Sequence, residues 1–260
     1  MIGGVRALLP FAPGAEVTLE ANPGTVERDS FDAYREAGVN RFSLGVQTFD
    51  DGCLRRIGRI HDREEVARAL ESIARSGVDN FNIDLMFGLP GQSVEMAVND
   101  VREALAAGPA HLSRYQLTLE PNTAFHANPP ALPDEDTVAE MQDAGAGLLA
   151  EAEFESYEIS AWAQPGRECR HNVNYWTFGD YLGIGAGAHG KITLPAVDEV
   201  RRRIRKRHPR DWMTAVESGN AVADDRAIGP SDLVFEFFLN HLRLAGGIPK
   251  HRLEERTGQP

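Results

Sequence analysis

The sequence predicts an α/β protein, a partial parallel βα barrel followed by the start of a small helical domain. Two observations lead there. Over the first 120 residues, apolar strand-like runs alternate with amphipathic helical patterns at intervals of roughly 30 residues, the spacing of βα units whose strands lie parallel. Polar residues then recur inside those runs or at their C-terminal ends, where the loops of a βα barrel gather ligand-binding groups.

The strands in order are 16–20 (EVTLE), Arg41–Gln47 (RFSLGVQ), Phe81–Phe87 (FNIDLMF) and 112–120 (LSRYQLTLE). Their polar members Glu20, Gln47, Asp84 and Glu120 are the expected rim of a ligand site. Between the strands, a helix over 26–37 ends at Gly38, a residue suited to a left-handed C-terminal cap. A second helix, 62–76, opens with Asp62 and Glu65 at capping-box spacing and closes at Gly77. A third, 93–107, closes at Gly108. After a Pro-rich loop over 128–133 come a helix over 134–152 and a strand over 157–163. Beyond the segment CRHNVNYWTFGDYLGIGAGAHGKIT the pattern changes, with helices over 211–217, 232–245 and 249–256. The expected division is a barrel over 1–195, a linker over 196–208 and an incomplete helical domain over 209–260.

Composition narrows the function. With 42% hydrophobic and 25% charged residues the chain reads as an ordinary globular protein. A net charge of −12 argues against broad nucleic-acid binding, which needs clustered Lys and Arg. The single basic run, RRRIRKRHPR over 201–210, reads either as a solvated loop or as a local anion site for an acidic ligand. No apolar run approaches the roughly 20 residues of a membrane span, and the opening MIGGVRALLPFAPGAE lacks the basic and apolar regions of a secretory signal, so a cytoplasmic location is expected. The two cysteines, Cys53 and Cys169, are too few and too far apart for a thiolate metal motif and suit a reducing compartment. The GIGAG within 179–190 is followed by KITLPAV, which opens no helix, and reads as a tight strand–turn rather than a dinucleotide fingerprint.

Five blocks in order, TLEANPGTVERD, RFSLGVQTFDDGCLRRIGRIHDREE, FNIDLMFGLPGQS, LSRYQLTLEPNTAF and HNVNYWTFGDYLGIGAGAHGK, resemble the HemW/HemN family of radical S-adenosylmethionine (SAM) proteins over nearly the whole chain. The resemblance implies a six-unit βα barrel that binds SAM against a four-iron, four-sulfur cluster, and a C-terminal helical domain. By that alignment the chain begins at about the third strand and is truncated at both ends. The first two strands and the CxxxCxxC cluster loop are missing, and no catalytic residue is assigned. Glu20, Gln47, Arg59 and Asp84 match positions that contact SAM in the family, and Thr118 and His189 match weaker ones. SAM carries a carboxylate that suits a guanidinium and ribose hydroxyls that suit carboxylates and amides.

The segment 171–176, HNVNYW, resembles the HNxxYW motif of HemW-type members, proposed to hold haem. On that resemblance His171 is a candidate ligand of haem iron, with Tyr175 and Trp176 flanking the porphyrin. Cys169 reads as a loop thiol, or as a second soft contact to haem. The implied function is a haem chaperone that binds haem and delivers it to acceptor proteins, with peripheral membrane contact left open through those partners. The alternative is a fragment of an oxygen-independent coproporphyrinogen III oxidase.

Overall fold

The computed structural model describes residues 2–25 and 30–259. In chain order the elements are α1 (Ile2–Leu8), β1 (Thr18–Ala21), α2 (Ser30–Glu36), β2 (Arg41–Gln47), α3 (Asp51–Arg56), α4 (Arg63–Ser76), β3 (Phe81–Phe87), α5 (Val94–Ala106), β4 (His111–Gln116), α6 (Ala124–Ala127), α7 (Glu135–Glu151), β5 (Glu155–Glu158), β6 (Ala161–Ala163), α8 (Arg170–Trp176), β7 (His189–Leu194), β8 (Glu199–Arg205), α9 (Pro209–Glu217), β9 (Val222–Ala227), α10 (Pro230–His241) and α11 (His251–Thr257). They form two compact units that divide between Cys169 and Arg170.

In the first unit β1, β2, β3 and β4 run parallel in that order, and β6 and β5 extend the sheet antiparallel beyond β4. The sheet is open, with β1 at one edge and β5 at the other. The expected α/β architecture with parallel βα units is therefore present, without barrel closure. The helices begin where the capping residues demand. Asp62 and Glu65 form the reciprocal capping box of α4, and Ser93 and Asp134 cap α5 and α7. Of the helix expected over 26–37, residues 26–29 lie outside the described residues, and α2 covers the rest up to Glu36.

Two strand expectations need correction. The single strand over 157–163 is instead the end of β5, a turn at Ile159–Ser160, and β6. An exposed isoleucine in that turn concealed it. The strand over 112–120 stops at Gln116, because its partner β3 ends at Phe87 and the chain turns there at Gly88 with a positive φ of 70°, leaving residues after Leu117 no strand to pair with.

The core of this unit lies on one side of the sheet. Phe42, Leu44, Val46, Phe81, Ile83, Leu85 and Leu112 face Val66, Ala69 and Ile73 of α4, Val101 and Ala104 of α5 and Leu149 of α7. Fully burying one such aliphatic side chain contributes about 1.5–3 kcal/mol. Because side chains alternate along a strand, the intervening residues Glu20, Ser43, Asn82, Asp84, Ser113 and Tyr115 share the opposite, polar face.

The second unit corrects three expectations. The compact division falls after Cys169 rather than near residue 195, so α8 and β7 belong to the second unit. The segment 196–208, read as a linker, contains β8, and the run 201–210, read as a solvated loop, supplies its arginines. β8 is the middle strand of an antiparallel β7–β8–β9 sheet, and the helices expected over 209–260 are present beside it as α9, α10 and α11. The physical reason is pairing. Arg201 and Arg203 meet Asp225 of β9 on one face, while Arg202 meets Glu236 and the Tyr181 hydroxyl on the other. Acidic partners across the ladder make an arginine-rich strand tolerable. Phe178, Val200, Ile228, Leu233 and Phe237 form the core of this unit. Among the described residues no helix is long and apolar enough to cross a membrane.

Candidate functional site

The first candidate site is the polar face of the open sheet. Strand register sets Glu20 beside Ser43, Ser43 beside Asn82, and Asp84 beside Ser113. Asn82 is the hub. Its Nδ2 donates to Ser43 Oγ and to Asp84 Oδ1, both at 2.7 Å, and Ser43 Oγ donates to Asp84 Oδ2 at 3.3 Å. Burial pushes the Asp84 carboxyl above its ordinary range and Glu20 adds to that, while the hydrogen bonds from Asn82, Ser113 and Ser43 oppose it. Burial also pushes Tyr115 up to about 12, with Asp84 reinforcing the shift.

Gln47 enters this face through an irregularity. The β2–β3 register shifts between Leu44 and Gln47, and Gln47 adopts a left-handed backbone with φ of 71°. Its amide hydrogen-bonds to Tyr115, while its buried Oε1 has no partner among the described residues. Gly45 makes room for this, since a Cβ there would lie 3.1 Å from both Gln47 Nε2 and Asn22 Oδ1. Asn22 in turn accepts a 3.0 Å hydrogen bond from Arg59 Nη1, which draws that guanidinium to the C-terminal end of β1. Glu20, Gln47, Arg59 and Asp84 thus share one neighbourhood. Thr118 lies in the exposed loop after β4, donating to Glu120, its companion there (2.9 Å). His189 is an exposed residue of β7 in the second unit.

This donor set fits a ligand that combines a carboxylate, hydroxyls and an amino group. Arg59 suits the carboxylate, Asp84 and Glu20 suit hydroxyls, and the unpartnered Gln47 Oε1 calls for an N–H or O–H. The thiols of this chain do not fit an iron–sulfur cluster. Cys53 is buried on α3, held by Arg56 at 3.3 Å, and burial raises its proton affinity; Cys169 is also buried. A cavity of about 730 Å³ elsewhere in this unit, lined by Phe87, Arg114, Val138 and Ile159, lies mainly on the helix-covered side of β4.

The second candidate site is α8. His171 and Tyr175 sit one turn apart and exposed, their rings 6.2 Å apart and nearly perpendicular, and Tyr181 packs edge-on to Tyr175 at 4.6 Å. Trp176 faces another way. It is half-buried under the Arg243 guanidinium, 4.3 Å from its ring, and its indole Nε1 is buried without a partner among the described residues. The turn after α8 is clamped. Asn174 Nδ2 donates to the Asp180 carbonyl, and the buried Lys191 Nζ donates to the Phe178 carbonyl and to Asp180 Oδ1, each at 3.1 Å. Thr193 donates to the same carboxylate through its N–H and its hydroxyl.

Sequence reasoning missed Asn22, Ser43, Asn82, His111 and Tyr115 on the polar face, and Lys191 and Asp180 behind α8. For the sheet residues a signal existed in the alternation of RFSLGVQ and FNIDLMF, whose second polar members Ser43 and Asn82 mark the same face. For Lys191 there was none.

Residues 4–104, within the unit that carries the open sheet, match the Radical SAM superfamily. The fold agrees with the solved structure of the radical SAM enzyme coproporphyrinogen III oxidase (HemN) from Escherichia coli, with a TM-score of 0.80 and 21% identity, covering 99% of this chain and 62% of that one. Sequence comparison goes further. The chain is 48% identical over 258 residues to the heme chaperone HemW of Escherichia coli, covering 99% of this chain and 67% of that protein. It is 44% identical to the HemW of Haemophilus influenzae, covering 98% and 65%, and 34% identical to that of Bacillus subtilis, covering 98% and 67%. The chain belongs to the HemW family, and it spans about two thirds of the length of these curated relatives.

Proposed function

We propose that this chain serves as a haem chaperone of the HemW kind, holding haem at the α8 surface and passing it to haem-accepting proteins, with SAM bound on the polar face of the first unit. The observation that carries the haem reading is the HNVNYW segment folded as α8, with His171 and Tyr175 exposed on one side. An imidazole is a good axial ligand for haem iron, and an aromatic ring one turn away can lie against a porphyrin. Cargo that must be handed on is better held at an exposed surface than in a closed cavity. Trp176 stiffens α8 from beneath through Arg243. The identity to HemW proteins over nearly the whole chain favours delivery of haem over oxidation of coproporphyrinogen III.

For SAM, Arg59 would take the carboxylate, Glu20 and Asp84 the ribose hydroxyls, and Gln47 an N–H or O–H through Oε1. Thr118 is a weaker candidate for the same ligand. In the family, bound SAM supplies radical chemistry when cleaved reductively against a four-iron, four-sulfur cluster. The residues of this chain bind and orient. A cytoplasmic location completes the reading.

Titration with hemin tests it. We expect a shifted Soret band that His171→Ala weakens or moves, while His189→Ala leaves it unchanged, with each variant checked for an unaltered circular dichroism spectrum. Equal hemin spectra and affinity in the parent chain and His171→Ala sink the haem-ligand assignment.

A further inference from the structure

A single run of hydrogen bonds crosses the polar face from the β5–β6 hairpin to the Asp84 carboxylate, and its direction is fixed by the backbone. The Ser113 main-chain N–H donates to Asn82 Oδ1 at 3.0 Å, which settles which end of that amide is oxygen. His111 Nδ1 lies 2.7 Å from the same oxygen and must therefore carry a proton. In the neutral imidazole Nε2 is then an acceptor, and the Tyr157 hydroxyl, 2.8 Å away, donates to it. On the far side both protons of Asn82 Nδ2 are committed, one to Asp84 Oδ1 and one to Ser43 Oγ, which passes its own proton to Asp84 Oδ2. Both carboxylate oxygens thus receive hydrogen bonds from a network that includes His111 and Tyr157. Asn82 and His111 are 3% and 1% exposed, so water does not interrupt it.

We propose that Asn82, His111 and Tyr157 are positioning residues for Asp84, a polarised relay that keeps its carboxylate ionised and aimed for a ligand hydroxyl on the polar face. The assignment deepens the reading of this face as a SAM site and rests on it. Asp84 needs such help. It is buried, Glu20 faces it from β1, and among the described residues no cation pairs with it. Tyr115 faces it from β4, and Arg59, whose charge acts on Tyr115, donates to Asn22 at the end of β1. One pleat below Ser43, Arg41 is turned to Glu16 and Asn80. Hydrogen bonds aligned in one direction strengthen one another, and here every link pushes a donor toward the anion. The relay leaves Asp84 acceptor capacity for a hydroxyl, since each carboxylate oxygen has more than one lone-pair direction.

The experiment is calorimetric titration of the intact chain with SAM between pH 5 and 8, in the parent and in Tyr157→Phe, His111→Phe and Asp84→Asn, with thermal unfolding of each. Tyr157→Phe removes only a hydroxyl from a partly exposed residue, so its fold is secure. We expect Asp84→Asn to weaken SAM by about tenfold or more, His111→Phe by about fivefold and Tyr157→Phe by about twofold. In the two relay variants the acid limb of the affinity profile should move to higher pH, because Asp84 then holds its proton more tightly. A purely structural role lowers the melting temperature and leaves that limb in place. Asp84→Asn binding SAM like the parent overturns the reading of the face and the relay with it. Loss of binding in Asp84→Asn, with parental affinity and acid limb in both relay variants, overturns the relay alone.

Discussion

Asp100 in the first unit and Asp225 in the second both have their carboxylate oxygens hydrogen-bonded, yet their surroundings act on them in opposite senses. Asp100 is buried and takes its protons from neutral groups, the Thr48 hydroxyl, the Phe49 N–H and the Gln92 amide. Burial outweighs those bonds and pushes its carboxyl up to about 6. Asp225, on β9, faces Arg203 and Arg201 of β8, whose guanidinium groups hold it below the usual carboxylate range. The same contrast separates Asp84 from Asp180. For Asp180 burial acts upward, but Thr193 and Lys191 together outweigh it. The first unit buries Asp84 and Asp100 among neutral hydrogen-bond donors under a larger apolar core, whereas the second sets Asp180 and Asp225 against cations.

The sharpest way to break that comparison is to attack the burial itself. Leu44→Ala, at a fully buried position between β2 and the helices, should cost about 2–5 kcal/mol in urea unfolding. A cost under about 1 kcal/mol would mean that burial does not dominate the first unit. Acidity gives the next effect. Asp100 is harder to ionise in the folded state than in the unfolded one, so its contribution is complete below pH ~4 and is lost as pH rises through about 6. The loss is on the order of 2 kcal/mol. Asp180 and Asp225 behave in the reverse way, stabilising above pH ~4 and losing that as pH falls below it. Hydrogen exchange resolved by unit and corrected for intrinsic rate should show the first unit firmer at pH 5 than at pH 7, and the second loosening first below pH 4. Parallel slopes in both units would erase the distinction.

Smaller effects sharpen it. Lys191→Met removes a buried cation that donates to Phe178 and Asp180 and lies 4.1 Å from the Phe178 ring. It should cost about 1–2 kcal/mol and broaden any hemin response of α8. Smallest of all, Asp225→Asn at a partly exposed pair should lower stability only slightly, and that small loss should shrink further in 0.5 M salt. An effect that is large and indifferent to salt would show that Asp225 does more than pair.

What could be read in advance followed the locality of each signal. β2 and β3 begin and end where the alternation of RFSLGVQ and FNIDLMF places them, and the Asp62–Glu65 box opens α4, because these depend on neighbours within a few residues. β8 was illegible because an arginine-rich run becomes a strand only when Asp225 and Glu236, 22 or more residues away, are brought alongside. The grouping of Glu20, Gln47, Arg59 and Asp84 came from family likeness. Their mutual arrangement through Asn22, Asn82 and Gly45 needed the register of three strands. Trp176 lies under Arg243, a partner 67 residues away that no local pattern announces.

A seven-residue helix such as α8 does not persist by itself in water, since the first turn costs more than so few hydrogen bonds return. The spacing of His171 over Tyr175 is therefore on loan from the turn and strand that follow, through Asn174, Asp180, Lys191 and Thr193. A synthetic peptide of residues 170–176, or the six letters HNVNYW grafted onto a foreign loop, would carry the motif without its shape. The portable piece runs at least to Thr193. Surveys that recognise this surface by its six letters alone will admit look-alikes that lack the lysine and the aspartate holding it in place.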